Sequence, residues 1–412
     1  MNNWLKLAIR NIQRNRRRSF ITLMAIAVGF AALSLFRGYI HNTYQGLRES
    51  AIRGEGLGHL TVYKAGWLDQ GKTDPQRYMF ARQEREKTVA LLEGEEDVLL
   101  ATPQLQIAGL VSNGRITNIF LSKGVVPRDD RAIKGAWAEF RPVKGQTLDD
   151  KRPFGVEMAE DLAKHLNLKP GSDGVVMAST LDGQMNAMDI QISGVYDSGS
   201  EATNDKVMRV PFSFAQSLYD TDMADRIVIL LKDWRKTESA RELFLKKLAD
   251  AGIACEIRTW DELSLFYGKV RGLFDMIFFF LFSIVLIIVI MSTINTMGMA
   301  VLERTREIGT LRALGLKRRG VSLLFAAEGA LLGLLGCLGG IGLNIIVWAV
   351  IRGLAPTYVP PGVSTPVPLI VNLVPQAMAT LTVFLVLLSL IAAILPARRA
   401  ARQNVVDALG HV

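Results

Sequence analysis

The chain has 412 residues, half of them hydrophobic, with a mean hydropathy of +0.23. It is longer than one ordinary core of about 100–200 residues, and too apolar for a disordered chain. Net charge is +9, yet residues 38–271 carry 31 Lys and Arg against 34 Asp and Glu, so the excess is concentrated beside apolar runs and argues against a nucleic-acid face.

Residues 1–18 predict an amphipathic lead-in helix. Leu5, Ala8, Ile9 and Ile12 share one face with Trp4 beside it, while Lys6, Arg10 and Arg14 lie elsewhere. A helix lying in the headgroup region and a plain basic anchor both fit this pattern. The first span is placed at 19–40, because 18 uncharged residues separate Arg18 from Arg37. A signal peptide is the competing reading, but Leu35-Phe36-Arg37-Gly38-Tyr39 offers no small-x-small cleavage site.

Residues 41–271 form one large extracytoplasmic domain of mixed α/β character. Strands are predicted at 59–64, 190–196 and 227–231, and a hairpin pairs 105–112 with 115–122 across Asn113-Gly114. Helices are predicted at 78–93, 154–167 and 237–251. The glycine-rich stretch 47–58 reads as a hinge or stalk. Gly66 to Thr73 fits the expression for a phosphate-binding loop, but Asp74-Pro75 follows where a helix must start, and no strand supplies a magnesium acid. The chain is therefore not expected to hydrolyse ATP.

Three further spans follow, at 272–302, 320–351 and 376–396, with a cytoplasmic segment at 303–319 and a Pro-rich outer loop at 352–375. Residues 397–412 make a cytoplasmic tail. Basic residues precede the first span, separate the second from the third and follow the fourth, which puts both termini inside. The fold class expected is thus a four-helix membrane protein with a large α/β domain between helices 1 and 2. Cys255 and Cys337 make no disulfide framework, and the four histidines show no metal spacing. No cofactor or metal is expected in this chain.

The segment 303–315 is too apolar and regular for a solvated loop. Ile308, Leu311 and Leu314 recur at i, i+3, i+6, with Glu303, Arg304, Arg306, Glu307 and Arg312 around them and glycines at 309 and 315. It predicts a short amphipathic helix with one face free for a partner. In the third span Gly329/Gly333 and Gly336/Gly340 form two small-xxx-small pairs, fit for packing within the chain or for a dimer seam. Glu328 is an acid inside that span. It is read as a structural or coupling residue paired with Arg318 or Arg319, because no second intramembrane acid or histidine supports a proton relay.

Glu303-Arg-Thr-Arg-Glu-Ile-Gly-x-Leu-Arg-Ala-x-Gly315 resembles the signature of the MacB-type (FtsX-like) ABC permeases, a group with lipoprotein-release, macrolide-export and cell-division members. Pro396-Ala-Arg-Arg-Ala-Ala-Arg and the start at Leu7 are similar to that family as well, although Val405 stands where it commonly has proline. The outer domain is most similar to the lipoprotein-release (LolC/LolE-like) members, through Gly58-His-Leu-Thr-Val, the run from Met158 to Gly171 and the run from Met188 to Gly199. The resemblance implies that 303–315 is a coupling helix for a cytoplasmic ATPase subunit present in two copies, which would hold ATP and magnesium. It also implies a second permease chain, identical or similar, in a bacterial inner membrane. Spans with few polar residues imply that a lipoprotein, lipid or amphipathic substrate is handled outside. Two other readings stay open, a drug or peptide exporter with a periplasmic adaptor, and a non-transporting regulator of a cell-wall hydrolase.

Overall fold

The computed structural model describes residues 16–402 apart from 72, 138–142, 361 and 364. The lead-in helix before residue 16, Lys72 and the tail beyond residue 402 lie outside the described residues. The chain divides into two compact units, Met1–Tyr44, Val270–Thr357 and Pro368–Val412 in one, and Gln45–Lys269 with Tyr358–Val367 in the other.

Helix α1 (Arg16–Glu49) begins in the first unit and runs on into a five-residue π-helical turn, Ser50–Gly54. The expected stalk at 47–58 is therefore ordered structure. Ala51 and Ile52 are buried and cluster with Leu57, Leu230 and Trp260. Gly58 has φ of +62°, and a Cβ there would meet the Ile229 carbonyl oxygen at 2.5 Å. That glycine serves close approach, and the flexibility read from its composition is not what it supplies.

The outer unit is built on β1 (Leu60–Lys64), α2 (Arg82–Glu93), β2 (Val98–Ser112), β3 (Thr117–Val125), α3 (Pro127–Lys134) and β4 (Lys144–Gly145). It continues with β5 (Gly155–Ala159), α4 (Glu160–His165), β6 (Asp173–Ser179), β7 (Met185–Tyr196), β8 (Val207–Pro211) and α5 (Phe212–Tyr219). The unit is completed by β9 (Arg226–Leu231), α6 (Thr237–Asp250) and β10 (Cys255–Thr259). All ten strands share one sheet, in the order β10-β1-β9-β2-β3-β8-β5-β7-β4, while β6 joins β7 back to β2. The pairings β2-β3-β8-β5-β7-β6 thus close on themselves around one core that includes Leu105, Phe120, Met158, Ile192 and Val210. The open side, β10-β1-β9, forms a second core with Phe80, Leu92, Phe244 and Leu248.

The Asn113-Gly114 hairpin forms as expected, with Ser112 opposite Thr117 and Gly114 at φ of +86°. Strand β2 starts earlier than its apolar pattern implied, at Val98, and runs through Pro103. Proline is tolerated there because β3 pairing begins only at Gln104, so β2 has a single neighbour, β9, at that position. The helix expected over 154–167 is corrected to β5 followed by the short α4. Val156 and Met158 alternate inward as a strand requires, and Glu157 between them is buried with its Oε2 2.9 Å from Arg209 Nη2. Its Oε1 accepts the Leu148 N–H. An ion pair distant in sequence supplied what helical periodicity seemed to deny. The helix expected over 78–93 splits into a single turn at Pro75–Tyr78 and α2.

His59 precedes β1 and is 6% exposed, and its Nδ1 accepts the Leu231 N–H at 3.0 Å. Burial, aided by the positive charges of Arg53 and Arg48, pushes its pKa down to about 4. The folded state therefore binds fewer protons than the unfolded chain between its usual value near 6.5 and 4. Stability present above pH 6.5 is lost as pH falls from there through 4, by about 3 kcal/mol from this group. A His59→Gln chain keeps an acceptor that does not titrate, so thermal unfolding against pH should show a shallower acid slope than native.

The first unit is completed by α7 (Leu265–Glu303), α8 (Thr305–Ala313), α9 (Arg318–Leu354) and α10 (Pro375–Arg402). Among the described residues, α1, α7, α9 and α10 are the four helices long and apolar enough to cross a membrane. Part of the Pro-rich loop, Tyr358–Val367, groups with the outer unit.

Candidate functional site at the basic end of the membrane helices

The start of α1, the end of α7, the start of α9 and the end of α10 lie at one end of the membrane unit, and Arg18 Nη1 reaches Glu303 Oε1 at 2.6 Å. Here α7 stops at Glu303 because Arg304 leaves helical geometry, with φ of −114° and ψ of 18°. The chain restarts as α8, nine residues long, and ends where Gly315 takes φ of +98°. A left-handed residue after a helix favours glycine, and the Leu316 N–H returns to the Leu311 carbonyl.

Side chains of the 303–315 segment divide by depth. Ile308 is 5% exposed and packs with Met297, Val301, Val321, Phe325 and Ala397. Gly309 is buried beside it. Leu311 is 40% exposed and Leu314 81%, while Arg306 and Glu307 are exposed and Arg312 is half-buried. The single face expected for Ile308, Leu311 and Leu314 is therefore split: Ile308 holds α8 to the bundle, and the two leucines point away from it.

Glu328 is 2% exposed, and its Oε1 accepts from Arg304 Nη1 at 2.9 Å. This corrects the expected pairing with Arg318 or Arg319. Those arginines lie nine and ten residues earlier on the same helix, roughly 14–15 Å along its axis, beyond side-chain reach. Arg304 Nε also bonds Glu307 Oε2 at 3.0 Å, and its guanidinium lies 5.6 Å from the Phe325 ring centre. Arg304 was visible in the sequence as one more surface cation, and nothing local marked it as buried.

The four glycines of the two small-xxx-small pairs in α9 pack within the chain. A Cβ at Gly329 would meet the Ala393 Cβ at 2.5 Å, and one at Gly333 the Ser389 side chain at 2.9 Å, both on α10. At Gly336 it would meet Ile26 at 2.7 Å, and at Gly340 the Ala27 carbonyl oxygen at 2.8 Å, both on α1. Absence of side chains lets α9 lie in contact with two helices at once. Polar groups in the spans bond between helices: Thr22 with Thr296 at 2.6 Å, and Asn344 Nδ2 with Ser34 Oγ at 2.5 Å.

The phosphate-loop pattern folds differently from its expression. Its helix, Trp67–Gln70, lies inside the pattern, Gly71 packs on Trp67, and the Gly66 N–H bonds the Glu256 carboxylate at 2.9 Å. Among the described residues no cluster of histidine, cysteine or acids is arranged to hold a metal.

Among the described residues, four long apolar helices, a short helix between the second and third and a large α/β domain after the first make up the architecture. The MacB-like periplasmic core domain family matches residues 19–246, and the FtsX-like permease C-terminal family matches residues 278–405. The chain belongs to this MacB- and FtsX-type family of ABC transporter permeases. It is similar to a macrolide export ATP-binding/permease protein MacB of Chromobacterium violaceum, 26% identical over 98% of this chain and 60% of that protein. It is also similar to a lipoprotein-releasing system transmembrane protein LolC of Neisseria meningitidis, 23% identical over 85% of this chain and 83% of that one. The chain thus spans about three fifths of the MacB relatives that it matches. Among solved structures, the periplasmic region of MacB from Actinobacillus actinomycetemcomitans aligns with 52% of this chain and 93% of its own, at 15% identity and a TM-score of 0.36.

Proposed function

We propose that the chain is the membrane subunit of a transporter driven by a separate cytoplasmic ATPase, which docks on α8. The observation that carries this reading is the pair of outward leucines, Leu311 on α8 and Leu314 just past its end, on a segment held from behind by Ile308 and Arg304. A helix with apolar anchors on a fixed backbone suits insertion into a groove. Glu303, Arg306 and Arg312 around it suit a polar rim. ATP and magnesium belong to the two ATPase copies, and a second permease chain completes the complex in the bacterial inner membrane.

Movement of α8 on ATP binding would pass through α7 and α9 to the periplasmic domain. Four polar residues of the spans, Thr22, Thr296, Ser34 and Asn344, bond from helix to helix, which gives little support to a hydrophilic channel. Cargo handled in the outer domain or outer leaflet fits better, and the coverage of LolC from both sides supports a lipoprotein or lipid over a soluble peptide. Export of a drug with a periplasmic adaptor is the second reading, supported by the MacB relatives.

The test is affinity purification of the tagged chain in mild detergent, with mass spectrometry of bound proteins and lipids. An ATPase subunit should accompany it, with a lipoprotein or its carrier for release, or an adaptor for export. Purification with a cell-wall hydrolase and no cargo would overturn transport in favour of regulation.

A further inference from the structure

Two covalent joints connect α8 to the membrane helices, and neither is helical. At one end Arg304 breaks α7 from α8, and at the other residues 314–317, with Gly315 at positive φ, form a non-helical connection. A displacement of α8 that travelled through these joints alone would be absorbed by them. The buried link runs elsewhere. Arg304, 8% exposed, crosses from the α7–α8 corner to Glu328, three turns inside α9, and Glu328 immediately precedes Gly329. Gly329 and Gly333 in turn hold α9 against Ser389 and Ala393 of α10 at distances that leave no slack.

We propose that the Arg304–Glu328 ion pair is the positioning element that makes α8 and the α9–α10 pair move as one body. A charged pair in an apolar site has few alternative partners, and its bidirectional hold on Arg304, through Glu307 on α8 and Glu328 on α9, fixes the corner in both helices. Apolar packing around Ile308 resists separation but permits sliding, whereas the guanidinium–carboxylate contact resists both. The purpose given to this link rests on the coupling-helix reading, but its existence does not.

The experiment places spin labels at Thr310→Cys on α8 and Ile346→Cys on the far half of α9, in a full chain carrying Cys255→Ser and Cys337→Ala. The distance distribution between the labels is measured in lipid nanodiscs, without and with any ATPase that co-purifies. The native pair should give a narrow distribution that ATP leaves unchanged. Glu328→Gln should broaden it or shift it by roughly 5 Å, the scale of a one-turn slip. Because an unpaired buried charge also harms folding, the decisive variant is Arg304→Met with Glu328→Leu, which removes both charges. It should melt as the native chain does and still show the broad distribution. A distribution as narrow as native in that double variant would overturn the proposal, leaving the pair a packing feature only. Failure of the ATPase to bind would count against the coupling reading alone, since the width in the isolated chain decides the link.

Discussion

Gly329→Leu and Gly340→Leu are each expected to prevent the membrane helices from packing, with little folded protein recovered from membranes. At Gly329 a Cβ alone would fall 2.5 Å from the Ala393 Cβ and 2.8 Å from the Ser389 carbonyl oxygen. At Gly340 it would fall 2.8 Å from both the Ala27 carbonyl oxygen and the Phe30 Cβ. Two of these neighbours are backbone, which cannot rotate away, so the helices themselves must separate. Overpacking costs about 1–3 kcal/mol where side chains can yield, and these sites belong at or above the upper end. Gly342→Leu is the control, since a Cβ there meets nothing within 4 Å. That change should be neutral or gain up to about 1 kcal/mol from helix propensity. Melting in detergent, followed by the fraction of monodisperse protein, checks the three variants together.

Leu311→Asp is expected to separate the chain from its ATPase while leaving the membrane unit intact. Leu311 is 40% exposed in the chain itself, so a carboxylate there is solvated and the fold loses little. In a partner groove the same carboxylate replaces an apolar anchor, and losing such an anchor costs about 1–4 kcal/mol before the burial of a charge is added. Glu307→Lys is a less direct probe than its place in the motif implied. Glu307 already bonds Arg304 at 3.0 Å, so lysine there repels Arg304 within the chain as well as any basic group of the partner. As a partly exposed ion pair its own worth is under about 1 kcal/mol, so most of any large loss would come from the partner.

The membrane architecture was legible because its signals are local. Long runs with at most one charged residue located four helices, and the described helices extend past each by a few residues to more than a dozen. Asn113-Gly114 located the hairpin for the same reason, since a turn of that type needs only its own two residues. What depends on distant partners was not legible. Glu157 looked like the polar face of a helix until Arg209, 52 residues on, turned its neighbours into a strand. The strand expected from residue 105 begins at Val98 instead, because the sequence does not show that β2 has one neighbour at Pro103.

The candidate site divides along the same line. The motif at 303–315 was visible as a short amphipathic helix, and Gly309 and Gly315 were visible as points of close approach and termination. Which of its residues face the bundle was not, because Ile308 and Leu311 have the same chemistry and differ only in what α9 and α10 bring near them. Glu328 stood out as an acid in an apolar run. Its partner was sought among the nearest cations in sequence, whereas the fold supplies Arg304 across a helix corner.

In the proposed function, α8 is the surface through which an ATPase would drive this permease. The most direct measurement is co-purification of the ATPase subunit with native, Glu307→Lys and Leu311→Asp chains from the same membranes, scored beside ATP-dependent growth or transport. All three chains should insert and fold, the native chain should retain the ATPase, and Leu311→Asp should lose it together with activity. Full retention of the ATPase and of activity by both Leu311→Asp and Glu307→Lys would overturn docking at α8, because Leu311 would then anchor nothing.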